Sequence, residues 1–593
     1  MPVYSGGEQQ LATISPDGQN VSFVYRNDLY IKNIETNIIT KVTSDGLLNS
    51  IINGMPDWVY EEEFTLTTGH YWSPDSRKIA FYKFDESNVK EFNLTLYENL
   101  YPEWFTYKYP KAGEKNARAD IYVYDIVSGS EKKMNLGESE ENYIPRIKWL
   151  PNSKELCVVE LNRLQNEIKI HLLDISAGVS KIFYRESNAK YISECTDDFV
   201  TFFDSGKRAL IMSEKDGFMH LYQYKTDGTL INQVTKGKWE LDRFYGIDEK
   251  SRTVYYSSTE VSPLERHIYS VDLDGGAKTK ISPKKGVNLI QFNSDFSYYL
   301  LVHSDANTPY EYTIYNGEGK VIRTLEDNAG LKRIIRQFDF IEKEFFSFRP
   351  EHGVLLNGYK ILPSNFNRGK KYPVLIYVYG GPESQVVLDE WNYRLPWFQL
   401  LAQKGYIIVC VDNRGTDGRG EEFKKSTYLQ LGKLETEDQI YLAEYLSELS
   451  YVDTDRIGIF GWSYGGYMSL LCLMKGNDKF KMGIAVAPVT SWRYYDTIYT
   501  ERFLRKPEDN SEGYDQNSPL NFVDRLKGKL LLVHGMADDN VHFQNSAMLI
   551  NELVKANKQF DIQFYPNKNH FIYGGNTTYH LYKRMTDYIL NTL

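Results

Sequence analysis

The sequence predicts a fold in two parts, an all-β half built from repeated sheet units followed by an α/β domain. Three observations carry this: a turn that recurs about every 50 residues, a change of texture near residue 345, and an excess of aromatic side chains. The 593 residues amount to about four domains at ~150 residues each. Aromatic residues make up 15%, 47 of them Tyr, a density that suits pleated, half-exposed strand surfaces.

The recurring turn begins with Ile14-Ser15-Pro16-Asp17-Gly18 and Trp72-Ser73-Pro74-Asp75-Ser76. It returns at Trp149-Leu150-Pro151-Asn152-Ser153, Phe203-Asp204-Ser205-Gly206, Ile247-Asp248-Glu249-Lys250 and Asn293-Ser294-Asp295-Phe296. Pro fixes φ, Asp or Asn bonds nearby backbone, and Gly allows positive φ. Strand-like runs such as Val21 to Tyr25 and Ile79 to Tyr82 follow. A period near 50 residues with four strands per unit is the pattern of propeller blades rather than of unrelated hairpins. Residues 1–344 are therefore expected to form a β-propeller.

From 345 to 593 the apolar runs become continuous: Tyr372 to Val378, Tyr406 to Val411, Ile457 to Phe460, Met482 to Val486 and Leu530 to Val533. Helical patterns lie between them, at Glu435 to Leu449 and Asn545 to Lys558. Buried strands alternating with helices predict a parallel sheet covered on both faces.

Within this half stands Gly461-Trp462-Ser463-Tyr464-Gly465, after the strand ending at Phe460 and before the helix Met468 to Met474. Gly-X-Ser-X-Gly at a strand-to-helix junction is a nucleophile elbow, whose glycines let the backbone turn sharply and expose the serine oxygen. The helix it opens offers free N–H groups to an oxyanion. Such a serine needs a base and an acid to orient it, following in that fold as acid and then histidine. After the strand at Leu530 comes His534-Gly535-Met536-Ala537-Asp538-Asp539-Asn540, and after Asp561 to Tyr565 comes His570. Asp538 or Asp539 with His570 satisfies the order. His534 precedes the acid and reads as a structural turn residue, while His542 and His580 stand as alternative bases. An α/β-hydrolase is the expected fold of this half.

Composition excludes several functions. A net charge of −10 leaves no basic field for nucleic acid. Cys157, Cys195, Cys410 and Cys472 lie far apart and fit no metal or disulfide framework. No apolar run approaches the ~20 residues of a membrane helix, so no transmembrane segment is expected. The start, Met1 to Gly7, has no signal-peptide pattern. Neither a metal site nor a cofactor is expected, and Gly415-Thr416-Asp417-Gly418-Arg419-Gly420 reads as a hydrolase turn rather than a nucleotide loop.

Gly461 to Tyr467, Trp58-Val59-Tyr60-Glu61-Glu62-Glu63, Val378 to Pro382, Ala487-Pro488-Val489, Tyr499-Thr500-Glu501-Arg502 and His534 to Phe543 together resemble the prolyl oligopeptidase family of serine peptidases, in its dipeptidyl peptidase IV branch. The resemblance covers nearly the whole chain and implies a β-propeller capping an α/β-hydrolase. It implies Ser463 as nucleophile, His570 as base and Asp538 as orienting acid, with the Tyr379 hydroxyl and the Tyr464 backbone N–H at the oxyanion. Tyr464, Val489, Trp492, Tyr495, Tyr499 and Val541 would line the pocket for the residue before the scissile bond. Taken without that context, Glu61-Glu62-Glu63 is a solvated charge run; the resemblance makes Glu62 and Glu63 the grip on the substrate's α-ammonium and Asn540 a donor to the carbonyl of its second residue. The implied activity is release of N-terminal X-Pro and X-Ala dipeptides through an acyl-enzyme, from peptides with a free N-terminus. Alternatives are an endo-oligopeptidase or acylaminoacyl peptidase on the same scaffold, and a non-catalytic propeller binding protein.

The family pattern is not met everywhere. Eight blades and a second-subsite arginine are expected, but only some 60 residues precede Glu62, six turn anchors are present, and Arg26 does not match that arginine. The chain therefore reads as truncated at its amino end, or its propeller as open. The resemblance implies a homodimer and a periplasmic or secreted location; without a signal peptide a cytoplasmic location stays open.

Overall fold

The computed structural model describes residues 3–137, 141–193 and 195–593. Each of the six anchor turns joins two antiparallel neighbours in one of six successive sheets, which span residues 10–41, 51–133, 143–187, 200–233, 241–280 and 287–326. Five are four-stranded meanders and the second has five strands. Their middle strands are apolar on both sides: Leu156, Cys157, Val158 and Val159 have no exposed surface. That pattern follows from packing each sheet against its neighbours, with side chains alternating between two dry faces.

The turn motif also ties sheet to sheet. Ser15 and Ser73 each donate to the Asp two residues on, at 2.6 Å, closing their own turns. Ser76 Oγ then accepts the Asp17 backbone N–H of the sheet before it at 3.0 Å, and Ser153 Oγ accepts that of Asp75 at 3.1 Å. The Trp that opens the motif does the same: Trp72 Nε1 donates to Thr13 O and Trp149 Nε1 to Tyr71 O, at 3.1 and 2.9 Å. The tryptophan and serine thus serve the joint between units, while the aspartate serves the turn.

The second half is built on an eight-stranded sheet in the order Glu344–Phe348, Leu356–Ile361, Ile407–Asp412, Tyr372–Val378, Val452–Trp462, Met482–Val486, Lys529–Gly535 and Asp561–Tyr565. The first three pair antiparallel and the rest parallel. Val374, Ile376 and Val378 point into one apolar cluster, and Leu375 and Tyr377 into another on the opposite face. The helix after the elbow begins at Tyr464, four residues earlier than the apolar pattern suggested. Gly465 and Gly466 pack directly against neighbouring backbone, while Tyr464 and Tyr467 of the same turn are buried in the apolar cluster.

Buried ion pairs join the two halves. Arg163 donates to Glu501 through Nε and Nη2 at 2.8 and 2.9 Å, and Lys425 meets Glu214 at 3.0 Å. The two-stranded hairpin Glu91–Leu96 and Glu103–Lys108 reaches over from the second sheet. From it the Phe92 ring stacks on His542 at 3.4 Å and the Tyr107 hydroxyl donates to Asp539 O at 2.7 Å.

Candidate active site

Four parallel strands deliver the site from their carboxyl ends, where open α/β sheets form their crevices. Tyr379 follows Val378, Ser463 follows Trp462, Asp538 follows the strand ending at Gly535, and His570 follows the one ending at Tyr565. The turn at Ser463 is tight: its φ is 60° and ψ −118°, a region that costs a non-glycine residue about 1–3 kcal/mol. The glycines make it sterically feasible. A Cβ on Gly461 would stand 2.1 Å from Gly465 O, and one on Gly465 2.2 Å from Val378 O. Ser463 N–H donates to Val486 O at 2.9 Å, which anchors the turn to the next strand.

Asp538 is fully buried and faces His570, whose Nδ1 lies 2.7 Å from its Oδ2. Its other oxygen accepts the N–H groups of Asn540 and Val541 at 3.0 and 2.9 Å. Burial opposes its ionisation, yet His570 and His534, whose Nε2 stands 3.2 Å from Oδ2, outweigh it, so its carboxyl sits well below the usual carboxylate range. The same partnership raises His570 above its ordinary value in spite of burial. Asp539 turns away, accepting from Trp58 Nε1 at 3.3 Å. Of the two aspartates, Asp538 is the one placed to orient the imidazole.

The other histidines have separate duties. His534 is held between Ser546 Oγ and Val541 O at 2.7 and 2.8 Å, as a turn residue would be. His542 lies under Phe92 and bonds the Tyr107 hydroxyl at 2.7 Å, with burial lowering it to about 3. His580 Nδ1 bonds Tyr565 OH at 2.9 Å. His570 alone of the four lines the catalytic cavity.

That cavity, about 770 Å³, lies in the upper range of small-ligand pockets. Its wall includes Ser463, His570, Tyr379, Glu62, Glu63, Asn540, Tyr495 and Tyr499. Burial and the two glutamate charges push the Tyr379 phenol up to about 12, so it remains a neutral donor. Of the expected pocket residues, Tyr495 and Tyr499 face the cavity. Tyr464, Val489, Trp492 and Val541 form a buried layer with them; Trp492 stacks on Tyr499 at 5.8 Å, and the Tyr464 hydroxyl donates to Glu435 at 2.6 Å.

Glu62 and Glu63 close a six-residue helix, Trp58–Glu63, capped by Asp57, which accepts the Tyr60 N–H at 3.0 Å. Neighbouring helical side chains diverge, and the helix end lets both carboxylates face one cavity. Glu62 accepts from Asn540 Nδ2, and the Tyr495 hydroxyl lies 2.7 Å from Asn540 Oδ1 and 3.4 Å from Glu63. Glu61 is exposed and lies off the cavity wall.

Sequence reasoning missed one member of this group. Asp496, fully buried, bonds Glu63 while its Oδ1 accepts the Tyr499 N–H at 2.9 Å. Burial raises both carboxyls, Asp496 to about 7. The pair therefore holds a proton near neutral pH. The only hint in the sequence is that Asp496 follows Tyr495 and begins the helix Thr497–Leu504 as its cap.

A serine on a strained elbow with an acid-oriented imidazole is the equipment of a serine hydrolase, and the parallel sheet beneath it is that of the α/β-hydrolase class. Comparison with known proteins narrows this. Residues 2–310 match the dipeptidyl peptidase IV N-terminal region and residues 391–593 the prolyl oligopeptidase family. Dipeptidyl peptidase 4 of Trichophyton equinum is 33% identical over 98% of this chain and 77% of its own length; prolyl endopeptidase FAP of Mus musculus is 34% identical over 97% and 79%. The crystal structure of Porphyromonas gingivalis dipeptidyl peptidase 4 superposes with a TM-score of 0.97 at 43% identity, covering 100% of this chain and 84% of that one. The chain belongs to the prolyl oligopeptidase family of serine peptidases, in its dipeptidyl peptidase IV branch.

Proposed function

We propose that the protein is a serine exopeptidase that releases N-terminal X-Pro and X-Ala dipeptides. In this reading Ser463 Oγ gives its proton to His570 and attacks the scissile carbonyl, while Asp538 holds the imidazolium that forms. The Tyr379 hydroxyl and Tyr464 N–H receive the oxyanion. His570 then protonates the leaving amine, and water attacks the acyl-enzyme by the same route in reverse. Tyr495 and Tyr499 bound the pocket; burying the three methylenes of a proline ring contributes about 2 kcal/mol at ~0.8 per CH₂.

The observation that carries the reading is that Glu62 and Glu63 share a wall with Ser463 and His570. An α-ammonium gripped there by charge-assisted bonds places the second peptide bond at the serine, with Asn540 on the intervening carbonyl. The same reading takes residues 1–344 as a propeller, closed or open, over a hydrolase domain at 345–593, and the enzyme as a homodimer of the periplasm or extracellular space. Among the described residues no helix is long and apolar enough to cross a membrane.

A dipeptidyl chromogenic substrate and its N-acetylated twin test the reading. Cleavage of the free amine alone is expected. Equal rates would favour the endopeptidase reading, which the printed name of the mouse relative brings with it, and Ser463→Ala must abolish both rates and fluorophosphonate labelling.

A further inference from the structure

The catalytic cavity continues beyond Ser463, away from the glutamates. At the glutamate end Tyr379, Tyr495 and Tyr499 pack on the apolar cluster under one face of the eight-stranded sheet. At the other end Tyr377, Trp462 and Tyr582 belong to the cluster on the opposite face. Ser463 stands between them at the carboxyl end of a central strand. A peptide with its amino end at Glu62 and Glu63 and its scissile carbonyl at Ser463 must therefore run on across the carboxyl end of the sheet.

There it meets Arg394, which precedes the helix Leu395–Gln403 and lines the cavity. Its guanidinium lies over the rings of Tyr377 and Tyr393, 5.3 and 4.5 Å from their centroids. Its Nε is buried without a hydrogen-bond partner. The ionisable groups that bear on it most are three phenols, Tyr377, Tyr393 and Tyr582, the last also through a hydrogen bond to the guanidinium. Among the described residues no carboxylate pairs with it, whereas Arg163, Arg266 and Arg414 each face one, at 2.8, 2.6 and 2.8 Å. A guanidinium is always charged, and a half-buried one is costly unless an anion meets it. Its planar fork matches a carboxylate.

We propose that Arg394 binds the C-terminal carboxylate of a leaving segment of one or two residues, so that tri- or tetrapeptides are favoured substrates. The proposal rests on the dipeptidyl peptidase reading and deepens it. The glutamates would hold one end of a short peptide and Arg394 the other, with the serine between.

The test compares kcat/KM for Ala-Pro-Gly and Ala-Pro-Gly-Gly, each as free acid and as C-terminal amide, in the intact protein. At the length that reaches Arg394 the acid is expected to exceed the amide about tenfold, equivalent to about 1.4 kcal/mol. Arg394→Gln should bring that ratio to about one and Arg394→Lys to an intermediate value; because acid and amide are compared within each enzyme, loss of folded protein cancels. A ratio near one at both lengths in the unaltered protein overturns the proposal, as does a ratio that survives both substitutions. Failure of the underlying reading shows separately, as indifference to N-acetylation of the dipeptidyl chromogenic substrate.

Discussion

Replacing Gly465 with alanine isolates the elbow's contribution to the chemistry. The new Cβ would stand 2.2 Å from Val378 O and 3.1 Å from Tyr379 Cα. A relaxed carbon–oxygen contact needs about 3.3 Å, so the gap must open by about 1 Å. Both walls are backbone, one the first turn of the helix Tyr464–Lys475 and the other the end of a central strand, and no side-chain rotation can relieve them. Opening the gap moves Ser463 and Tyr464 away from Tyr379, separating the nucleophile from the group read as the oxyanion donor. A misplacement of about 1 Å costs on the order of 10²-fold in rate, about 2.7 kcal/mol of barrier, and the overpacked core loses a further ~1–3 kcal/mol of stability. The assay is kcat for a dipeptidyl p-nitroanilide together with the urea midpoint. Gly330→Ala provides the control, since that Cβ meets nothing within 4 Å in the helix Ala329–Ile335. A Gly465→Ala enzyme with kcat within about threefold of the parent and an unmoved midpoint would refute the steric argument.

Asp538→Asn should lower kcat about 10⁴-fold with little change in fold, because it inverts the tautomer of His570; a loss under about tenfold would show that another group orients the imidazole. Catalysis needs neutral His570, and Asp538 raises that group above its ordinary value, so kcat should fall as pH drops through a point above ~6.5. The ammonium site has its own pH dependence. Glu63 and Asp496 are raised by burial, Asp496 to about 7; a cation binds their deprotonated form, so KM should rise as pH falls below about 7. Asp496→Asn should flatten that rise and leave the kcat limb in place, and a KM already flat from about pH 6 to 8 in the parent would contradict the shared proton. Arg163→Ala strands buried Glu501 and should cost about 3–5 kcal/mol in urea unfolding. A loss below about 1 kcal/mol would mean that the pair does not hold the two halves together.

The local rules were legible in the sequence wherever a few neighbouring residues settle the outcome. All six turn anchors fall between paired strands of six sheets, because Pro, Asp and Gly constrain the backbone where they stand. The elbow serine also falls at a strand-to-helix junction. What was hidden depends on side-chain direction and on distant partners. Asp538 and Asp539 are indistinguishable as text; they separate only because one loop turns the first toward His570 and the second toward Trp58, which lies 481 residues away. Asp496 and Arg394 are single charged residues in ordinary surroundings, and their significance arises from burial beside Glu63 in one case and, in the other, from a buried Nε without a hydrogen-bond partner among the described residues. Val489, Trp492 and Val541, expected at the pocket by resemblance, pack in one buried cluster with Tyr495.

The sheet-to-sheet ties also impose a timetable on the nascent chain. At ~5–20 residues per second, the 59 residues between Asp17 and Ser76 take about 3–12 s, so each turn waits only briefly for the partner that completes it. Arg163 waits 338 residues for Glu501, and Glu62 waits 478 for Asn540, about 20–100 s. His570 is the last of the site residues to leave the ribosome. A half-made molecule is thus a set of settled sheets without a complete site, and its chemistry comes together only after the last strand of the eight-stranded sheet has emerged.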